Sequence, residues 1–499
     1  MASRLRTKAD YLNDLRDGRN VYVGGELVTD VTTHEAFRNA ADSVGDIYAA
    51  VSDPKNEHLT TYIEEETGDQ CSLTFLRPRN RDDIVAKRKF HQVVSETSNG
   101  LLGRTPDHVG SSVTGMASQV DVFTEGGYPD HVLDYWRFVR DRDLYVAHAV
   151  APPSGTRSLS SIYDSSKSAE PVRNPNALRV VDSDSEGVTV HGVKVLATSA
   201  VLADEIWIGN ILPLRPGDEA YSVSFAVPVA TEGLKLISRT SFEGRSRNIY
   251  EYPLAATFDE TDSVLVFDNV KVPWERVFTF NGIAASVAAF NSTPAHALAN
   301  LQAHVRLLVK SGTMLGLTRV LTEVIGTSGI PGVQDELRRM ALYVGMLDGL
   351  IQGQENNPEP WSSGFVSNNR EVLYATMAWS SQEFPRFALR MRELIGGHPF
   401  RQPADLSAFG NDETVDAYLR TSGQADLGAA KEHYQLMRTA WDLIGSEYAS
   451  RHLQYEMFYA GPPHVTNGHL GRAFDWHRVD ALAERLTRRI REKTDAQPA

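Results

Sequence analysis

The stretch Tyr221-Ser222-Val223-Ser224-Phe225-Ala226-Val227 is rich in β-branched and aromatic residues, which favour strands. Similar short runs recur from about residue 170 to 280, among them Val193-Lys194-Val195-Leu196 and Ser263-Val264-Leu265-Val266-Phe267. Clusters of turn-forming residues at 182–187, 215–219 and 258–262 separate these runs. Short strands spaced by turns predict an antiparallel barrel or sandwich in the middle of the chain.

The chain on either side of this segment carries helical patterns. From Thr32 to about Ala147 the pattern is mostly helical, with breaks at Asp53-Pro54 and Arg77-Pro78. Beyond Pro273 apolar residues recur at helical intervals, and four long stretches predict a bundle: 298–325, 333–351, 369–395 and 427–456. The order predicts an α+β protein with a mainly helical domain (1–149), an antiparallel β-barrel (150–280) and a four-helix bundle (281–499).

The composition excludes several classes of protein. The 499 residues are 41% hydrophobic and 23% charged, as in a globular protein with a large core, and the net charge of -14 opposes binding to nucleic acid or an anionic membrane. The single cysteine, Cys71, excludes an internal disulfide and a multi-cysteine metal site. The N-terminus has no apolar signal core and no run reaches membrane-spanning length, which predicts a cytoplasmic protein.

Two polar segments interrupt the regular patterns of the N-terminal half. In Gly103-Arg104-Thr105-Pro106-Asp107-His108, the proline excludes a helix interior and biases the residue before it towards extended backbone. Arg104 therefore stands on an irregular segment, with an ionisable His108 four residues later. Such segments often carry binding groups, although a plain turn with a surface arginine is the alternative. The second segment is Asp143-Leu144-Tyr145-Val146-Ala147-His148.

Blocks along the whole chain resemble one enzyme family in the same order. The blocks are residues 31–40, 103–107, 144–148 with Pro152-Pro153, 194–198, 236–239, 258–260, 267–275 and 441–456. In these blocks the chain resembles the 4-hydroxyphenylacetate 3-monooxygenase family, the large component of two-component flavin-dependent aromatic hydroxylases. No G-x-G-x-x-G or P-loop motif is present, so neither common phosphate loop would hold the nucleotide.

The resemblance implies an acyl-CoA dehydrogenase-like fold and a definite chemistry. Such enzymes take reduced FAD from a separate NAD(P)H-dependent flavin reductase and react it with O2 to a C4a-hydroperoxide, which hydroxylates an electron-rich ring. The substrate would be a small aromatic compound, in particular a phenol, either free or attached to a carrier. A phenol becomes electron-rich when it loses its proton, and its pKa of about 10 must be offset by a base or a cation. The family also implies a homotetramer.

The resemblance also implies site residues. Arg104 and His148 match the pair that grips the phenolic oxygen, although a histidine with a purely structural role in a helix is the alternative for His148. The family has Tyr where this chain has His108, which can take up a proton. His304 is another candidate base, or else a polar residue at the helix–barrel boundary. Contacts with the flavin are expected from His148, Arg157, Ser161, Thr198, Ser446, Glu447, Tyr448 and Ala449.

Two alternative functions make different demands on the sequence. A flavin-dependent CoA-ester dehydratase (lyase) of the same superfamily binds an iron–sulfur cluster through three cysteines and a histidine. Two of those cysteines would fall at about Arg104 and His108 and the third near Ser311, so the dehydratase hypothesis fails. A flavin-free binding scaffold would lack the flavin contacts, and Thr198 and residues 445–449 argue against it.

Overall fold

The computed structural model describes residues 3–156, 174–211, 214–245, 248–420 and 424–495. Residues 3–156 form six α-helices and five short strands. The helices are α1 (Lys8–Asp14), α2 (Arg38–Ser52), α3 (Glu57–Thr60), α4 (Arg81–Thr97), α5 (Pro106–Ala117) and α6 (Pro129–Arg142). The strands are β1 (Val21–Val23), β2 (Glu26–Val28), β3 (Thr61–Ile63), β4 (Gln70–Ser72) and β5 (Val146–Ala149).

Local sequence explains where the helices that matter for the site begin and end. Helix α5 begins at Pro106, whose fixed φ suits the first helical position, and Thr105 before it is extended, with ψ 164°. The prediction that Pro106 lies outside a helix interior is therefore confirmed. Helix α6 ends at Arg142, and the residue that caps it, Asp143, takes left-handed backbone with φ 48°. His148 lies on strand β5. The alternative prediction, a structural histidine in a helix, was therefore wrong about the secondary structure.

The middle of the chain forms strands, as predicted. They are β6 (Arg179–Ser183), β7 (Gly187–Thr198), β8 (Glu205–Ile208), β9 (Val223–Pro228), β10 (Leu234–Ser238), β11 (Asp262–Pro273) and β12 (Val277–Phe280). They form a six-stranded sheet in the order β2-β1-β10-β11-β7-β6 and a four-stranded sheet in the order β12-β9-β8-β5. Two pairs, β1 with β10 and β5 with β8, are parallel, and the others are antiparallel.

The predicted closed β-barrel is wrong. Closure requires edge strands to hydrogen-bond to each other, and the two sheets are joined only by the single bridge between Ala151 and Val195 among the residues described. Instead the sheets pack face to face as a sandwich, with Phe225 of one meeting Phe267 of the other edge to face at 5.9 Å between ring centres. One continuous apolar core lies between them.

The C-terminal part is helical. Its helices are α7 (Ile283–Asn291), α8 (Ala295–Ile325), α9 (Pro331–Asn356), α10 (Arg370–Ile395), α11 (Glu413–Leu419), α12 (Leu427–Ile444), α13 (Glu447–Phe458), α14 (Pro463–Ala473) and α15 (Trp476–Asp495). A small hairpin, β13 (Glu359–Pro360) with β14 (Val366–Ser367), precedes α10. Leu298, Leu301 and Val305 of the predicted apolar stripe are buried in a shared core with residues of α9 and α10. None of the described helices combines the length and apolar character needed to cross a bilayer.

The fourth predicted helix, 427–456, is divided into α12 and α13. The helix stops at Gly445, where a β-carbon would lie 2.3 Å from the Trp441 ring. Ser446 then begins α13 by accepting a hydrogen bond from the backbone N–H of Ala449 at 3.1 Å. Beyond the break, α13 contacts the start of β11 through Arg451 and Asp262, and the segment before α5 through Tyr455 and Gly103. The proposed division of the chain at 149/150 and 280/281 stays a prediction.

Candidate functional site

Arg104 is held by its backbone at the entrance to α5. Its N–H donates to the carboxylate of Glu260, and its carbonyl oxygen accepts from the hydroxyl of Tyr145. The side chain donates from Nη2 to the carbonyl oxygen of Tyr459 at 2.9 Å, and Nη1 contacts Nε2 of His108. These contacts fix both the position and the direction of the guanidinium group.

The positive charge of Arg104 meets no carboxylate through its side chain within the described ranges. Glu260, which accepts from the Arg104 backbone N–H, forms its ion pair with Arg451 at 3.0 Å. Instead the guanidinium carbon lies 5.7 Å from the ring centre of Tyr455 and 6.0 Å from that of Tyr459. A partly buried cation without an anionic partner favours an anionic ligand.

Two histidines adjoin Arg104. The centre of the His108 ring lies 6.1 Å from that of His148, with 29° between the ring planes, and the His148 ring lies 6.4 Å from that of Trp207. Burial, the charge of Arg104 and the neighbouring His148 hold the pKa of His108 well below its ordinary value. Burial and Arg104 also lower the pKa of His148, to about 3. Both imidazoles are therefore neutral near pH 7, and the structure brings all three predicted residues together.

His304 is connected to this group through Tyr459. It lies on α8, with Nδ1 at 3.2 Å from the amide nitrogen of Gln354 and Nε2 at 3.2 Å from the hydroxyl of Tyr459. Burial lowers its pKa to about 3. Tyr459 thus separates the two groups, because its carbonyl contacts Arg104 and its hydroxyl contacts His304.

Thr198 ends β7 and is linked to Arg104 by ionised groups. Its hydroxyl donates to Asp262 at 2.7 Å, and Asp262 pairs with Arg451 at 2.8 Å. Arg451 also pairs with Glu260, which accepts from the Arg104 backbone. Burial alone would raise the pKa of Asp262, but the charges of Arg451 and Arg239 hold it below its ordinary value. This ionised chain fixes the distance between the end of β7 and the start of α5.

The segment 446–449 forms the first turn of α13. Ser446 caps the helix, Tyr448 reaches the carbonyl of Phe258 at 3.4 Å, and the exposed Glu447 pairs with Arg245 at 3.0 Å. Among the described residues, the hydrogen bonds and ion pairs of this turn therefore reach Phe258 and Arg245 and not Arg104. Arg157 and Ser161, the other expected flavin contacts, fall outside the described residues.

Sequence reasoning missed several residues that surround Arg104. Residues 451, 455 and 459 recur every four positions along α13 and its C-cap, and all three adjoin the site. The sequence could have indicated them, because residues four apart lie on the same face of a helix and Glu447 was already a predicted site residue. Gln302 on α8 carried no signal, because nothing in its local pattern indicates that it contacts His108 at 2.9 Å.

The donors present fit the flavin that the resemblance implies. The hydroxyl of Tyr455 is buried and has no hydrogen-bond partner in the part of the chain that is described. Its pKa is raised, first by burial, so it stays a donor. Thr198 gives its hydroxyl proton to Asp262, which leaves its oxygen lone pairs for an N–H group. One unused donor and one unused acceptor suit the polar edge of an isoalloxazine ring.

A surface recess of about 380 Å³ lies beside α7. Its lining contains no predicted site residue and consists of Leu214, Ile283, Ala284, Val287, Ala288, Asn291 and Ser292. The polar site is therefore defined by its side chains rather than by this recess.

Comparison with known proteins agrees with the layout of the chain. Sequence models of the 4-hydroxyphenylacetate 3-hydroxylase N terminal and C terminal regions match residues 7–279 and 286–488. The oxygenase component of 4-nitrophenol 2-monooxygenase from Rhodococcus sp is 32% identical over 467 residues, which cover 92% of this chain and 86% of that protein. The oxygenase component of 4-hydroxyphenylacetate 3-monooxygenase from Geobacillus sp. (strain PA-9) is 29% identical over 463 residues, which cover 92% of this chain and 91% of that protein.

A solved structure gives the same result. The crystal structure of the oxygenase component of 4-hydroxyphenylacetate 3-monooxygenase, complexed with FAD and 4-hydroxyphenylacetate, superposes with a TM-score of 0.88. The two proteins are 26% identical, and the match covers 98% of this chain and 99% of that one. The predicted fold class is confirmed apart from the closed barrel.

Proposed function

The chain belongs to the 4-hydroxyphenylacetate 3-hydroxylase family, and from this membership we propose that it hydroxylates a small phenolic substrate as the FAD-dependent oxygenase component of a two-component monooxygenase. Relatives that match it along nearly their whole length are named as such components. The same fold has been solved with FAD and a phenolic acid bound. The dehydratase and scaffold alternatives have no comparable support.

The reaction requires partners beyond the chain. A separate NAD(P)H-dependent reductase provides reduced FAD, and O2 provides the oxygen atom, with its second atom leaving as water. We also infer a cytoplasmic location, because NAD(P)H is available there. A homotetramer is part of the proposal, and it rests on the family alone.

Residues of both the sheets and the bundle would hold the flavin. Bound reduced FAD supplies the electrons that activate O2 for transfer of one oxygen atom to the ring. Tyr455 offers a donor and Thr198 an acceptor to the flavin's polar edge. The first turn of α13, residues 446–449, would pack against the same group. Arg157, Ser161 and His148 complete the proposed contacts.

The guanidinium of Arg104 would hold the phenolic oxygen. An aromatic ring is attacked by an electrophilic oxygen far more readily once its hydroxyl is ionised, and a fixed cation favours that ionised form. His108 and His148 provide neutral ring nitrogens beside it. His304 would take part only through Tyr459. The observation that carries the proposal is the Arg104 charge, unpaired with any described carboxylate and flanked by two stacked imidazoles.

Turnover with isotopically labelled O2 tests the proposal. Purified protein is mixed with chemically reduced FAD, labelled O2 and a panel of phenols, indoles and carrier-bound aromatic acids. We expect at least one phenol to gain one labelled oxygen atom, detected by mass spectrometry. The proposal is overturned if reduced FAD binds but no member of the panel gains labelled oxygen.

A further inference from the structure

The imidazole of His108 is held from both sides by groups that determine where its proton lies. On one side Nε2 faces Nη1 of Arg104. A guanidinium group can only donate hydrogen bonds, so Nε2 must be the unprotonated, accepting nitrogen. An imidazolium ring would place two N–H groups against each other.

The other side of the ring leads to the same conclusion. The hydroxyl oxygen of Thr105 lies 2.5 Å from Oδ1 of Asp107, so the single hydroxyl proton of Thr105 is donated to that carboxylate. Gln302 must then present its amide nitrogen to Thr105, at 2.9 Å, and its amide oxygen to His108. The oxygen of Gln302 lies 2.9 Å from Nδ1 of His108, which therefore carries the proton.

The chain of donors ends at a fixed acceptor. Both oxygens of the Asp107 carboxylate accept hydrogen bonds, Oδ1 from the hydroxyl of Thr105 and Oδ2 from Nδ1 of His91 at 2.7 Å. A carboxylate cannot donate, so it fixes the direction of the Thr105 hydroxyl. Asp107, Thr105 and Gln302 are all almost fully buried, which makes an unsatisfied donor or acceptor there costly. The tautomer of His108 is thus set by residues that the substrate would not touch.

We propose that Gln302 is a positioning residue that keeps His108 protonated on Nδ1, and that Nε2 of His108 takes the phenolic proton of the substrate. This inference rests on the proposed function and names the group that ionises its substrate. The phenolic oxygen enters the Arg104–His108 contact, accepts from Nη1 and donates to Nε2. The O–H bond breaks, an Nε2–H bond forms, and the oxygen keeps the electron pair beside Arg104. The imidazolium returns the proton to that oxygen in the product.

Charge balance favours this transfer once a phenol is bound. The groups facing His108 are Arg104, His148, His91 and Gln302, and the charge of Arg104 opposes protonation of the ring. A phenolate between Arg104 and His108 offsets that charge, so the imidazolium then has an anion next to it. Tyrosine, which the resembling family carries here, is a neutral donor and could not accept the proton in this way.

Both ring nitrogens of the other candidate base, His304, already contact protein groups. Gln354 donates from its amide nitrogen to Nδ1 of His304, and Nε2 of His304 faces the hydroxyl of Tyr459. The lone pair of His304 is therefore directed at a group inside the protein, whereas that of His108 is directed at the substrate-binding cation.

Binding of 4-nitrophenol to the full-length protein, without flavin or O2, tests the inference through the visible absorbance of its ionised form. At about pH 6 the wild-type complex is expected to show the phenolate band. His108→Gln, which offers an amide in place of the base, and Gln302→Leu are expected to show the neutral phenol. Gln302→Glu still accepts from Nδ1 and should keep the band. Gln119→Leu is the matched control, because Gln119 is buried and, among the described residues, its side chain hydrogen-bonds to Ser362 and Ser363 and not to the site.

Turnover adds a second measurement. We expect His108→Gln to lower kcat for 4-hydroxyphenylacetate about 100-fold and Gln302→Leu about 10-fold. With 4-nitrophenol at about pH 9, where it is already ionised, both should stay within about threefold of wild type. Equal losses with both substrates, or a phenolate band that persists in both variants, overturn the inference. Wild type that shows the band but forms no product with any phenol contradicts the proposed function instead.

Discussion

A β-carbon on Gly103 would lie 2.5 Å from Cζ of Tyr455, so the residue before Arg104 must be glycine for Tyr455 to stack beside the guanidinium. Gly103 is thus required by a close approach and not by a left-handed backbone. The contact joins the start of α5 to α13, two segments separated by about 350 residues in the sequence.

Gly103→Ala should push Tyr455 away from Arg104. We expect the free energy of unfolding to fall by about 1–3 kcal/mol, as for other overpacked sites, and hydroxylation to fall at least about 10-fold. Urea denaturation and product formation measure the two effects. Gly345→Ala in the exposed part of α9, where no atom lies within 4 Å, is the control and should be slightly stabilising. Unchanged activity in Gly103→Ala would contradict this role of the Tyr455 contact.

Arg104→Ala should abolish hydroxylation while leaving the binding of reduced FAD nearly intact. A loss of at least about 100-fold in kcat/KM is expected, because a neutral site cannot hold a phenolate. Arg104→Lys keeps the charge but cannot contact Tyr459 and His108 together, so it should recover only part of the rate. Product assays and anaerobic flavin titration check both variants. Surviving turnover in the alanine variant would rule out the assigned role.

Thr198→Val should weaken the binding of reduced FAD about 10-fold, since one hydrogen bond to a polar group is worth about 1–1.5 kcal/mol. The same change leaves Asp262 with its two arginine partners, Arg451 and Arg239. Thr198→Ser keeps the hydroxyl and should bind like wild type. Equal dissociation constants for Thr198→Val and wild type, measured by anaerobic fluorescence titration, would remove Thr198 from the flavin site.

His304→Gln should lower kcat less than about 10-fold, well below the loss expected for His108→Gln. The reason is that both ring nitrogens of His304 already contact Gln354 and Tyr459. Steady-state kinetics with 4-hydroxyphenylacetate compare the two variants. The opposite ranking would make His304 the base.

Glu456→Gln should destabilise the fold by about 3 kcal/mol at pH 7, because it leaves two buried cations poorly compensated. Glu456 contacts Arg306 at 2.6 Å and Lys310 at 2.8 Å. Although burial raises the pKa of Glu456, these two cations lower it to about 2. Asp335→Asn, which breaks only the exposed pair with Arg339, should cost at most about 1 kcal/mol.

The cost of Glu456→Gln should depend on pH in one direction. The folded-state pKa lies below the unfolded value of about 4.3, so the ionised form stabilises the fold above that value. This contribution is lost as the pH falls from about 4.5 towards 2. The difference in unfolding free energy between wild type and variant should therefore shrink over that range. A constant difference would exclude ionised Glu456 as its cause.

The sequence predicted those features that depend on neighbours along the chain. Apolar residues at helical spacing, such as Leu298, Leu301 and Val305, indicated the long helices of the bundle, and Pro106 marked the start of α5. The strand-rich middle segment was likewise visible from composition and turns. The absence of a closed barrel could not be predicted, because closure depends on which sheet edges meet in space. The interruption at Gly445 was missed, although a glycine is a local signal for the end of a helix.

Motif resemblance selected Arg104, His108 and His148, and the tertiary structure brings them together. It could not reveal that Gln302, 194 residues away from His108, orients the imidazole, or that Tyr455 stacks on Arg104. Such contacts arise when the rigid helices α5, α8 and α13 pack together, and no local pattern encodes them. The sequence alone thus determined which residue types are present for the chemistry, whereas folding decided which nitrogen of His108 carries a proton, because hydrogen-bond direction depends on partners brought together in space.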